Sequence, residues 1–440
     1  MSKKSDHKRF YWKQWQTGQM PKLENHSEKK LDLLRDYLEL YLQIVLKNAA
    51  GKEVQEVTLI DGFAGGGIYQ EGKHGSPIVI LKAVEAAEFL INRGREKPTR
   101  IVPICYFIEK DPDAFACLEA TLKQQGYGDR IGKSIHLRQA DFIECAPEII
   151  TAINQRHKRG GNRTIFFLDQ CGWTEISAAT IRMLAEQLYH HPEFIVNFSI
   201  SWLTDFLSDR TQSSITESLY NLGLNGYVDV PAMMKLRLDL GGHWEHAVES
   251  HIGDAFHRAT NIAYFSPFYI EPQGNHRGYW LLHLAQSARA RSAMTQIHWS
   301  KANRSKHYGY LGYEMLSYKP TLDQTQFITG MSFDDESKAR CETVLAGDFS
   351  RLISENHREG ITFKRFIDQT SNKIMATSPM VNDIIWQLCQ SSEFEIVSPL
   401  GRAKRTNNFS DGDIIRPRQQ TIFPGFTDAI IKAKSTKACQ

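Results

Sequence analysis

Val57-Thr58-Leu59-Ile60-Asp61-Gly62-Phe63-Ala64-Gly65-Gly66-Gly67 is the stretch that decides the fold. A β-branched, apolar run stops at an acid and a glycine-rich turn, and the apolar residues 77–87 behind it have helical character, so the segment reads as strand, loop, helix. Downstream the pattern repeats. Residues 101–108 form a buried-type strand closed by Glu109, 111–124 a helix, 135–138 a short strand running into Asp141, and 147–157 a helix. A fourth strand, 164–168, ends at Asp169, and a helix over 178–189 leads into the apolar run 194–200. Alternation of this kind predicts an α/β fold, a doubly wound Rossmann-like sheet, mostly parallel, with helices on both faces.

Outward from that core, Leu31, Leu34, Leu38, Leu42 and Leu46 recur at three and four residues and predict an amphipathic helix before the first strand. Residues 1–50 are therefore read as an N-terminal arm and helix, and 51–310 as the α/β domain. Within it, 205–262 is a helical insertion and 279–284 a late strand returning to the sheet. Residues 311–345 are read as a linker. From 346 onward, short helical candidates precede a strand at 394–397 and a basic, glycine-bearing turn, a winged-helix pattern.

The chain has 440 residues, enough for two or three domains, and its 53 Lys and Arg against 50 Asp and Glu exclude a wholly basic nucleic-acid binder. Any basic surface must be local. Two clusters qualify: Arg289, Arg291, Lys301, Arg304 and Lys306, interleaved with aromatics, and Arg402, Lys404 and Arg405 in the late turn. Both are expected to contact DNA or RNA. The aromatic and basic N-terminal segment around Phe10, Tyr11, Trp12 and Trp15 fits either packing on the fold or stacking on bases. Seven cysteines without CxxC pairs argue against a zinc site or disulfide scaffold, and no metal is expected. The charged N-terminus and the lack of a long apolar run predict a cytoplasmic protein without a membrane span.

Four acids, Asp61, Glu109, Asp141 and Asp169, stand at four successive strand ends, the carboxyl edge at which doubly wound sheets bind ligands. Gly62, Gly65 and Gly67 let the backbone approach a ligand closely, and Phe63 belongs to the same expected cofactor-binding turn. Glu109 is placed to hold ribose hydroxyls and Asp141 to accept from an adenine amino group, a set that suits S-adenosylmethionine. Asp169-Gln170-Cys171-Gly172-Trp173 is similar to the D-P-P-Y element of amino-methylating nucleic-acid enzymes. In that reading Asp169 orients an exocyclic amine and Trp173 stacks a flipped base, with Gln170 and Cys171 replacing the two prolines. A nucleophilic Cys171 is the other reading of the element. Asn197, inside an apolar run, either braces the loop after Asp169 or satisfies backbone groups.

These motifs together resemble the bacterial three-Cys-motif partner family. The similar elements are His26, Lys29 and Lys30 before the Leu-rich helix, 60–65 with Gly75-Ser76-Pro77, 107–109, 167–173, 196–198 and 280–285, spanning roughly 26 to 310. The resemblance implies a class I methyltransferase fold with a C-terminal winged-helix-like domain. It also implies a radical S-adenosylmethionine partner protein bearing three cysteines. The expected function is methyl transfer from S-adenosylmethionine to a nucleic-acid base. The alternative is a methyltransferase-like module that binds nucleic acid or a partner protein in phage defence or a modification system, without turnover.

Overall fold

The computed structural model describes residues 20–47, 54–156, 163–170, 175–190, 192–199, 212–240, 244–270, 279–300, 305–307, 312–313 and 331–418. Two compact units divide the chain: Met1–Cys341 with Thr370–Ser378, and Glu342–Gln369 with Pro379–Gln440. The N-terminal aromatic segment lies outside the described residues, as do Cys171, Trp173, Lys301 and Arg304.

The first unit opens with α1 (Asn25–Lys47), whose Leu31, Leu34, Leu38 and Leu42 are buried as their spacing requires. The alternation follows as β1 (Val54–Asp61), α2 (Ser76–Asn92), β2 (Arg100–Ile108), α3 (Pro112–Gln124), β3 (Ile135–Arg138), α4 (Phe142–Arg156), β4 (Arg163–Leu168), α5 (Ala178–Gln187) and β5 (Glu193–Phe198). Next come α6 (Gln212–Asn221), α7 (Val230–Leu240), α8 (Trp244–Thr260), β6 (Tyr264–Ile270), β7 (Tyr279–Ala285), α9 (Ala288–Ser300), β8 (Ser305–His307) and β9 (Met331–Ser332).

The nine strands form one sheet in the order β3-β2-β1-β4-β5-β7-β6-β8-β9. Strands β1 to β5 pair in parallel, whereas β7 runs antiparallel to both β5 and β6. Sequence order reverses between β1 and β4, which makes the carboxyl ends of these two strands the topological switch point. The architecture is thus mixed α/β and Rossmann-like.

The parallel strands are nearly continuous apolar runs because helices cover both faces; β5 is buried along its whole length. On one face Phe166 stacks on Phe194 at 4.9 Å, and Phe142 of α4 meets Phe166 edge-on. Each such ring contributes about 1.5–3 kcal/mol through the area it removes from water. No helix among the described residues is long and apolar enough to cross a membrane.

Two elements depart from expectation. Helix α4 begins at Phe142, not at residue 147, because Asp141 caps it by accepting from the Ile143 N–H at 3.0 Å, leaving Pro147 inside the helix. Strand β6 falls between the expected insertion and the late strand, where no element was read, and it carries Pro267. Among the described residues β8 pairs only with Tyr269 and Ile270, so Pro267 has a described neighbouring strand on the β7 side alone, and a missing N–H is tolerable there.

The second unit starts within α10 (Asp335–Asn356), a helix that reaches into the stretch read as linker. It continues with β10 (Ile361–Thr362), α11 (Phe363–Thr370), α12 (Ser378–Gln390), β11 (Phe394–Val397) and β12 (Ile414–Pro417). The strands form an antiparallel sheet in the order β10-β12-β11. Phe349, Phe366, Ile385, Ile396 and Ile415 are buried in its core, with Phe349 and Phe366 edge-to-face at 4.9 Å.

Candidate functional site

The crevice is built at the carboxyl ends of β1, β2 and β4. Asp61 ends β1 and is fully buried. Its Oδ1 accepts from the Phe63 N–H at 3.1 Å, while Oδ2 has no hydrogen-bond partner among the described residues. Burial pushes this carboxyl up to about 7; the Ser76 hydroxyl and the Phe63 N–H work against that, and Asp169 and Glu109 add to it. A buried carboxylate oxygen with nothing to accept from is costly, and a ligand cation or N–H would complete it.

The turn after Asp61 fits so close an approach. Gly67 takes φ 76°, and a Cβ on Gly75 would lie 3.0 Å from the Gly67 backbone, so Gly75 packs directly against the turn at the start of α2. The Cys117 thiol and Thr121 hydroxyl of α3 donate to the Gly66 carbonyl at 3.2 and 3.1 Å and hold the far side.

Glu109, just past β2, accepts from the Gly65 N–H at 2.9 Å and the Asp111 N–H at 2.8 Å. Its carboxylate is therefore drawn to the glycine turn. Asp141 is half-buried, caps α4 and meets the Lys110 ammonium at 3.3 Å.

Asp169 follows β4. In the β1–β4 ladder Asp61 faces Phe167, which sets Asp169 two residues further along the same edge. The Lys30 ammonium of α1 reaches both Asp169 oxygens, at 2.6 and 2.8 Å. Lys30 is 6% exposed and lies 5.4 Å from the centroid of the Tyr279 ring. Burial, with Asp169 nearby, pushes the Tyr279 phenol far above its ordinary value. Farther along α1, the Tyr37 hydroxyl donates to Glu193 at 2.5 Å and lies 3.1 Å from Nε2 of His283, which pins the helix to β5 and β7. Sequence reasoning missed Lys30 as a site residue. Its signal was position, because Lys30 shares the apolar face with Leu34 and Leu38, where a lysine needs a partner.

Gln170 corrects an expectation. It is 1% exposed, and its Oε1 accepts from the Glu175 and Ile176 N–H groups at 3.0 and 2.9 Å, so the side chain fastens the loop instead of facing an acceptor. Asn197 donates to the Gln170 carbonyl at 3.4 Å and thus braces the same loop.

Arg291 corrects another. It is 2% exposed, and its guanidinium donates to the Ile374 and Ala376 carbonyls, which removes it from any phosphate-contacting surface. Arg289 is exposed on the same helix, and Lys306 lies on β8. In the second unit Arg402 and Arg405 are exposed between β11 and β12, whereas Lys404 pairs with the buried Asp413 at 2.9 Å.

Fold and crevice define a doubly wound α/β protein with acidic side chains gathered at the carboxyl ends of β1, β2 and β4. No family model matches the chain, and no curated protein matches it. Among solved structures it is similar to yhhF from Escherichia coli, with 11% identity over 61% of this chain and 91% of that one and a TM-score of 0.27. The plantazolicin methyltransferase BamL, solved with S-adenosylhomocysteine (SAH), shares 11% identity over 60% of this chain and 88% of its own, at a TM-score of 0.23. The geranyl diphosphate C-methyltransferase of Streptomyces coelicolor A3(2) shares 9% over 56% and 75%, at 0.22. Likeness at these TM-scores carries no weight for function, and the reading below rests on the geometry.

Proposed function

We propose that this protein is an S-adenosylmethionine-dependent methyltransferase acting on nucleic acid. The observation that carries the reading is the buried Asp61 carboxylate, one of whose oxygens has no partner among the described residues, beneath a glycine turn at the switch point. S-adenosylmethionine presents an ammonium and a sulfonium, ribose hydroxyl donors and an adenine ring, and the residues present fit it. Asp61 would accept from the cationic end, Glu109 would take ribose hydroxyls, and the 62–67 turn would lie along the ligand. Bound there, S-adenosylmethionine supplies a methyl group activated by the sulfonium it leaves. Asp61 holds charge, Glu109 and the turn fix position, and the Gln170–Asn197 brace keeps Asp169 at the edge where an acceptor enters.

Nucleic acid as the acceptor is supported by the second unit. Its order of helix, strand, two helices and two strands suits a winged helix, with the β11–β12 connection as the wing. Leu400, 84% exposed, and the exposed Arg402 and Arg405 lie in that connection. Arg402→Ala with Arg405→Ala is expected to weaken binding to a random-sequence duplex and to reduce the slope of log affinity against log salt by about 2. Fluorescence anisotropy over a salt series from about 50 to about 200 mM checks this; an unchanged slope contradicts it. The reading as a whole is tested by incubating the protein with methyl-labelled S-adenosylmethionine and random pools of RNA and DNA. Label in nucleic acid is the expected result, and none in either pool contradicts it.

A further inference from the structure

We propose that the acceptor atom is a hydroxyl oxygen, the ribose 2′-hydroxyl of RNA, and that Lys30 and Asp169 act on it together as catalytic residues. The inference rests on the methyltransfer reading above and deepens it. The observation is the ion pair itself: a buried ammonium from α1 set on both oxygens of the half-buried carboxylate that follows β4, next to Tyr279 and beside the switch point.

Charge decides between the two acceptor types. An amine nitrogen that takes a methyl group gains positive character, and an ammonium held against the orienting carboxylate opposes that change. A hydroxyl oxygen gains negative character as its proton leaves, and the same ammonium stabilises it. A lysine ammonium has three donors, of which Asp169 takes two, and the third serves the acceptor oxygen. Burial of Lys30 strengthens the effect, because little water competes for the ammonium, while the partly exposed Asp169 keeps a route to solvent.

The step balances without another reagent. The acceptor oxygen forms the new C–O bond as the methyl–sulfur bond breaks, and the sulfonium becomes a neutral thioether by keeping that bond's electron pair. The hydroxyl proton passes to Asp169 and then to solvent, while Lys30 remains an ammonium throughout. Within a nucleic-acid strand the free hydroxyl is the ribose 2′-OH, which RNA has and DNA lacks.

The test uses the full chain, methyl-labelled S-adenosylmethionine and matched random RNA and DNA pools, followed by digestion to nucleosides. Expected are label in RNA alone, recovered as 2′-O-methyl nucleosides. In addition, Lys30→Met should lower the transfer rate by about 100-fold or more while S-adenosylmethionine affinity is kept, and Lys30→Arg should restore part of the rate. Label in DNA, or on a base nitrogen, overturns the hydroxyl assignment and leaves the methyltransfer reading standing. Absence of label in both pools brings down both. Should Lys30→Met not fold, the wild-type product alone decides.

Discussion

Replacing Asp61 by asparagine is expected to make the unliganded protein progressively more stable than the wild type as pH rises from about 4 to about 8, by up to about 4 kcal/mol. The wild-type carboxyl is raised from 3.8 to about 7 by burial. Across that window the folded chain keeps a proton that the unfolded chain has released, so wild-type stability falls as pH climbs and levels off above about 7. Asparagine has no proton to lose. Urea unfolding of both proteins at three pH values checks this, and a difference independent of pH would contradict it. The same substitution should abolish binding of a cationic ligand, so a gain in stability accompanies a loss of function.

The second large effect is at Arg291. This guanidinium is buried, drawn down to about 10 by loss of solvent, and donates to the Ile374 and Ala376 carbonyls. Trp299 donates to Met375 at 2.8 Å, and the Ser378 N–H donates to Ser292 at 2.8 Å, so α9 holds the 374–378 segment at several points. Arg291→Met fills similar space but leaves two carbonyls without their donor, and is expected to cost about 3 kcal/mol or more in denaturant unfolding. Nucleic-acid affinity of the folded variant should be unchanged. A surface arginine would give the reverse pattern, little loss of stability and weaker binding.

Arg291 also shows where reading from sequence runs out. Its neighbours Arg289 and Lys306 make the stretch look like a charged face, and nothing local announces that a segment more than eighty residues later folds over one of them. Lys30 and Gln170 are misjudged for the same reason, since their partners come from 139 residues away and from across a loop.

What was legible was local or periodic. The VTLIDGFAGGG turn, the apolar runs of β2, β4 and β5 and the leucine stripe of α1 each satisfy a rule that operates within one element. Acids at strand ends were legible because topology alone brings them to one edge. What those acids do once there was less so. Asp141 serves as a helix cap, and Asp169 carries the Lys30 ammonium, a partner that the local motif does not reveal. No element was read between residues 262 and 279, where β6 lies.

The central claim is that the Asp61 crevice binds S-adenosylmethionine, and calorimetry tests it most directly. Wild-type protein should bind the ligand saturably at one site, more tightly at pH 8 than at pH 6, with a proton released below neutrality as Asp61 ionises against the cation. Glu109→Ala should lose most of that affinity. Folded wild-type protein that shows no binding, or binding unaffected by both pH and Glu109→Ala, would contradict the account.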